Sequence, residues 1–455
     1  MKENPKRSEQ FARMTETPIP QLTISLAVPS VIGMLISTMY NMVDTWFVAQ
    51  LGTIAVAACG ISFPIMEFIN SIGYLMGMGS GTLIGLLLGK RDLKKAGSLG
   101  SAAFFLTLGV GTLLAAAGLL FLNPLMRLLG ASEAVLPSAA AYARYILIGI
   151  PVMSVSLVLS SILRCEGKNR CAMIGIASGG VLNMLLDPVF IFVLGQGVAG
   201  AAMATLISQT AGLFLLLSYY LRGQTETHLS IREARITAPE MKKLLITGLP
   251  SLCRHGTATL AGIALNLAAG VYGGDALIAA LSIVSKVSSL IQSVIKGIFQ
   301  GSQSIYSYNK GAERYDRVLQ AYRFTLVFNT VLVACVAAVM PFMAKGIMGI
   351  FSVTDPDVLR LGILALILQA VSLLIMPFNM SVNQLLQSIG FPKTSTLLTI
   401  LPQGLFYIPA LAVLPLFLQA NGVIAAPILG QALCAAVTWP ILKKHTSEMR
   451  AKIRG

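Results

Sequence analysis

The chain has 455 residues, 55% hydrophobic and only 11% charged, against about 25% charged for an ordinary soluble domain. With a mean hydropathy of +0.78, this composition excludes a soluble globular fold and predicts a polytopic membrane protein. The net charge of +15 does not point to nucleic acid, because Lys and Arg lie in short loops between apolar runs, not along one face or tail.

Residues 1–23 are polar and lack a compact apolar core followed by a small-residue cleavage site. They read as a cytoplasmic segment and not a signal peptide, with the first span directing insertion. Apolar runs of about twenty residues, the length needed to cross hydrocarbon, then recur twelve times. They cover 24–49, 55–88, 97–121, 138–160, 173–195, 199–221, 244–270, 277–300, 322–344, 359–386, 396–418 and 422–442. Their length and lack of alternation predict helices, not barrel strands.

Alternate loops are basic: KRDLKK, LRCEGKNR, the long segment 222–243, NKGAERYDR and the tail 443–455. The intervening loops hold only Arg127, Lys345 and Arg360. Positive charge marks the cytoplasmic side, so both termini are expected there, in a multi-pass plasma-membrane protein. An even number of spans follows, in agreement with twelve.

The two sides of the long basic loop resemble each other at a displacement of 222 positions: Gly52 matches Gly274, Ala57 and Ala58 match Ala279 and Ala280, Gly79 matches Gly301 and Gly89 matches Gly311. Six spans per repeat is even, so both halves insert with the same polarity, as a parallel repeat. The expected fold is all-α, with twelve transmembrane helices in two six-helix lobes. The N-lobe is 24–221, the linker 222–243 and the C-lobe 244–442.

Asp44 and Asp187 are stranded in long apolar runs, where a carboxylate costs roughly 2.5–3.5 kcal/mol on insertion scales. Tyr40 and Asn41 precede Asp44 by one helical turn, and Asn183 precedes Asp187 by four residues, so each set shares a helix face. Thr205 and Tyr142 fall at similar depth in their own spans, which brings the groups into one layer if the helices adjoin. Two buried carboxylates side by side favour holding a proton, and the same oxygens of Asp44, Asn183, Asp187 and Thr205 suit Na⁺. The plainer alternative is that each Asp caps a kink or bonds a neighbouring helix. Asp44 falls opposite Asn266 in the repeat and the second-half spans hold no acid, so the acids are not a requirement of the repeat fold.

Glu67, midway along the second span, either lines a substrate cavity or pairs with a base. Arg254 and His255 either touch substrate or bond between helices. Lys286 is placed to face a central cavity, whereas Lys296 is expected to snorkel toward the cytoplasm. The 20 Met and 19 Phe mostly face lipid or pack helices. The six cysteines are scattered, with no metal-ligand spacing. His228, His255 and His445 are dispersed, and neither HExxH nor GxxxxGK[ST] occurs. An enzyme is not expected, no cofactor is implied, and an ion gradient is left as the energy source.

The segments PSVIGMLISTMYNMVDTWFVAQLGTIAVAACGISFPI, GMGSGTLIGLLLGKRD, LNMLLDPVFIF with GVAGAAMAT, and GLPSLCRHGTATLAGIALN resemble the multidrug and toxic compound extrusion (MATE) family. The likeness runs on through GGDALIAALSIVSKV to FQGSQSIYSYNKGAERYDRV and spans nearly the whole chain. It implies two lobes in a V, exporting cationic amphipathic compounds by antiport with H⁺ or Na⁺, from a protein expected to be a monomer. The family's amino-lobe ion site would fall on Tyr40, Asp44, Asn183, Asp187 and Thr205, with Tyr142 a looser match. Acids that some branches carry in spans 7 and 10 are replaced here by Arg254-His255 and an uncharged segment. The alternative is a flippase for lipid-linked saccharide or cell-wall precursor, which would be expected to show a more strongly cationic central cavity.

Overall fold

The protein is described by a computed structural model covering residues 5–351 and 355–454. In chain order the helices are α1 (Pro5–Glu16), α2 (Ile19–Ala49), α3 (Thr53–Gly89), α4 (Leu93–Leu120), α5 (Leu122–Leu128), α6 (Leu136–Ile148), α7 (Ile150–Cys165), α8 (Asn169–Pro188) and α9 (Gly197–Leu221). They continue as α10 (Ala238–Gly311), α11 (Tyr315–Ile350), α12 (Pro356–Ser388), α13 (Pro392–Ile400), α14 (Tyr407–Leu418) and α15 (Ala420–Arg454). Among the described residues, 10 helical stretches are long and apolar enough to cross a membrane, and the bent pair α6–α7 makes up to 11. The chain is therefore an all-α polytopic membrane protein.

Proline and glycine account for the breaks. The α6–α7 bend of 44° sits at Gly149, and Pro151 just beyond it lacks an N–H and crowds the preceding turn. Pro188 ends α8 and leads into a π turn at Val189–Val193; a second π turn, Leu401–Leu405, contains Pro402. Helix α10 runs for 74 residues, far beyond a hydrocarbon core of about 30 Å at about 1.5 Å per residue. It is interrupted at Gly274, whose φ of 60° and ψ of −158° lie where only glycine sits without strain.

Three apolar clusters organise the bundle. One lies wholly within the first half, from Val48 to Ala202, and one wholly within the second, from Ala261 to Ala426. The third draws on both halves and gathers the helix ends near the basic loops, including Leu83, Leu159, Ile162, Tyr306, Leu385 and Leu398. The halves are thus joined at the basic end and keep separate cores at the other.

Small residues make that joint. A Cβ on Gly79 would come within 2.4 Å of the Leu244 carbonyl, and one on Gly301 within 2.6 Å of Ala27 Cα. Both are backbone contacts between the halves, of the close kind that small residues permit in membranes. Gln303 adds a bond across the joint, its Nε2 donating to Thr82 Oγ1 at 3.0 Å.

Outside the spans, the connection from 222 to 237 is pinned to the first half. Glu166, fully buried, accepts from the Glu226 amide at 2.9 Å, the Thr227 amide at 2.9 Å and the Thr227 hydroxyl at 2.5 Å. Burial pushes the Glu166 carboxyl up, against the pull of Lys168 3.6 Å away and of these donors. Helix α10 then opens on a reciprocal cap between Thr237 and Glu240. Helix α1 lies across the joint, since Gln10 Nε2 donates to the Glu166 carbonyl and its Met14 carbonyl accepts from Asn309 Nδ2.

Candidate functional site

Asn183 and Asp187 sit one turn apart on α8, so their side chains overlie each other. Asn183 Nδ2 donates to Asp187 Oδ1 at 3.0 Å and to Thr205 Oγ1 on α9 at 3.2 Å. The Thr205 hydroxyl passes its own proton back to the Ala201 carbonyl at 3.0 Å. Asn183 and Asp187 are both fully buried. Helix α2 packs against α8 and brings the Asp44 carboxyl into contact with that of Asp187.

Tyr40, one turn before Asp44, presses its ring against Gly180, where a Cβ would lie 3.0 Å from it. Gln209 Nε2 reaches the Tyr40 hydroxyl at 3.5 Å. Tyr142 on α6 lies beside Asp44 and Cys59, with its hydroxyl 3.9 Å from Met66 Sδ. The structure thus gathers Tyr40, Asp44, Tyr142, Asn183, Asp187 and Thr205 around one point. Asn41 is exposed, and its Nδ2 donates to the Ser37 carbonyl at 2.7 Å.

Gln209 and Cys59 belong to this neighbourhood and escaped the reading of the sequence. Gln209 follows Thr205 by four residues, so helical spacing alone could have found it. Nothing local distinguishes Cys59 from the other thiols.

Asp44 Oδ1, Asp187 Oδ2 and Asn183 Oδ1 are buried and receive no hydrogen bond. Three unmatched acceptors in one buried place are costly unless a donor or cation meets them. Two carboxyl groups in contact cannot both stay charged without such a cation between them. The arrangement fits a proton or a small metal cation, and it offers no nucleophile–base pair for covalent chemistry.

A second group of charges lies where the halves meet. Glu67 on α3 and His255 on α10 approach to 3.2 Å, each side chain 26% exposed, and the imidazole stacks on Tyr74 at 5.0 Å. Arg254 stands by Tyr74, and Lys296 by Glu67 and Arg254. The expected snorkelling of Lys296 is therefore corrected: its ammonium turns inward to these charges. Lys286, expected at a central cavity, is exposed and forms no ion pair among the described residues.

The MatE family model matches residues 29–189 and 250–433. The multidrug export protein MepA of Staphylococcus haemolyticus is 28% identical over 431 residues, covering 94% of both chains. MepA of Staphylococcus aureus is 26% identical over 432 residues, again covering 94% of each. Among solved structures, a multidrug resistance MATE family transporter of the MOP superfamily, in an outward-facing conformation, superposes with a TM-score of 0.93. It is 25% identical and is matched over 99% of this chain and 100% of its own.

Proposed function

The chain belongs to the MatE family, and on that premise we propose that it is a secondary active exporter of amphipathic small molecules, driven by protons through Asp44 and Asp187. It is a transporter and not an enzyme. The observation that carries the proposal is the contact between the Asp44 and Asp187 carboxyl groups, with unmatched oxygens on both. One proton shared between them, with Asn183 and Thr205 fixing Asp187, gives a site whose charge changes by one on loading and release. Na⁺ on the same oxygens is the competing arrangement.

We read α10 as two spans hinged at Gly274 and α6–α7 as one, which makes twelve in two lobes of six, 24–221 and 244–442, joined by 222–243. Each half's separate core and the π turns in the fifth and eleventh spans support that division. With the cores parted at the end away from the basic loops, a cleft opens toward the outside and both termini lie in the cytoplasm. The working unit is then a monomer in the plasma membrane.

Transport of a fluorescent amphipath in proteoliposomes tests this, with a pH jump and a Na⁺ jump imposed separately. Efflux driven by the pH jump is expected. Efflux driven by Na⁺ at constant pH refutes proton coupling, and efflux driven by neither refutes the antiporter. A lipid-flip assay in the same vesicles separates export from the flippase alternative.

A further inference from the structure

Where the halves meet, cationic side chains outnumber acids. Arg164 on α7 is 4% exposed; its Nη2 donates to Ser161 Oγ at 2.8 Å, while its Nε is buried without a partner. It lines a cavity of only about 10 Å³ together with Asn169, Gly33 and Met34 from the first half and Gln300 from α10. Tyr74 lies within electrostatic reach of both Arg164 and Arg254. The side chains of Arg254 and Lys296 form no hydrogen bond or ion pair with any described residue. Among the described residues, the carboxylate in this neighbourhood is Glu67, which His255 engages.

A cationic substrate entering here meets Arg254 and Lys296, with the buried Arg164 behind them, and a carboxylate already engaged. Bringing a further positive charge beside them is repulsive in a poorly hydrated cleft. An acidic group gains instead: Arg254 and Lys296 share only Glu67, which His255 also engages, and a guanidinium suits a carboxylate or phosphate fork. The stacked rings of Tyr74 and His255, 18° from parallel, give a flat surface next to these cations for an aromatic body.

We propose that the cleft between the halves selects amphipathic substrates carrying an acidic group (carboxylate, sulfonate or phosphate), received by Arg254 and Lys296 with Arg164 behind them. The substrates are then acidic or zwitterionic, not simply cationic. This deepens the exporter reading and rests on it for transport, though not for binding.

Rhodamine B, which bears a free carboxylate, and its ethyl ester, which does not, form a matched pair of probes. Binding to the full-length purified protein is read by fluorescence anisotropy. Wild type is expected to hold rhodamine B about tenfold more tightly than the ester, the worth of one charge-assisted contact. Arg254→Gln with Lys296→Gln removes that preference and leaves ester affinity within about twofold, whereas Arg254→Lys, which keeps the charge, retains most of it. Equal affinities, tighter binding of the ester, no binding of either dye, or a preference that survives the double substitution overturns the proposal. Asp44→Asn separates the two ideas: it abolishes gradient-driven export if the exporter reading is right and leaves the dye preference in place.

Discussion

Glu67 on α3 and His255 on α10 join the two halves of the protein through a 3.2 Å contact, with the imidazole lying flat on Tyr74. The pair engages the acid that lies nearest Lys296, and among the described residues neither Arg254 nor Lys296 forms an ion pair of its own. Glu67→Gln is accordingly expected to strengthen rhodamine B binding by about threefold to tenfold, since it removes a negative charge beside Lys296. Anisotropy titration checks this, and weaker binding would contradict it.

At the other charged site, Asp44→Asn and Asp187→Asn are each expected to cut pH-driven efflux at least about fivefold, the lower end of typical coupling energies. Substrate binding in detergent should persist in both. Wild-type efflux from either variant would end the coupling role.

Asn183 supplies the only protein donor to Asp187 Oδ1 among the described residues. Asn183→Leu leaves that oxygen unmatched in a buried place and removes the donor that the Thr205 hydroxyl accepts from, at a cost of about 1–3 kcal/mol. A lowered Tm of the purified protein and slower pH-driven efflux are expected together. An unchanged Tm would mean that water or lipid reaches the site freely.

The joint between the halves is sensitive to single methyl groups. Gly301→Ala drives a Cβ to 2.6 Å from Ala27 Cα, which must open the joint at about 1–3 kcal/mol. Gly109→Ala, with nothing within 4 Å of the new atom, is the matched control. A fall in Tm for the first and none for the second is the expected result.

On the membrane surface, Glu166→Ala strands three donors of the 222–237 connection. Each unmatched donor costs about 1–3 kcal/mol, enough to release the segment. Trypsin should then cut at Arg232 and Arg235 faster than in wild type, with the membrane core still resistant.

The spans, their helical character and the residues of the coupling layer were legible from order alone. Hydropathy, proline position and i, i+4 spacing are local quantities, so Asp44 stood out, as did the Asn183–Asp187 pair. The break at Gly274 falls in the connection 271–276 that hydropathy left between the seventh and eighth spans, but the bend at Gly149 was not placed, because a kink inside an apolar run depends on what the neighbouring helices leave room for. Lys296 was read as snorkelling because its depth is local, whereas its direction is set by Glu67 and Arg254 on other turns and helices. Arg164 drew no notice, since nothing in LRCEGKNR says that its guanidinium folds back into the bundle.

By itself the sequence determined a polytopic helical transporter with two acids in its first half, because burying a backbone in hydrocarbon forces helices and makes every charge within them conspicuous. Only the tertiary structure decided which charges meet. Helix packing brought Asp44 to Asp187, occupied Glu67 with His255, and left Arg254 and Lys296 near each other, through contacts between residues far apart in the chain.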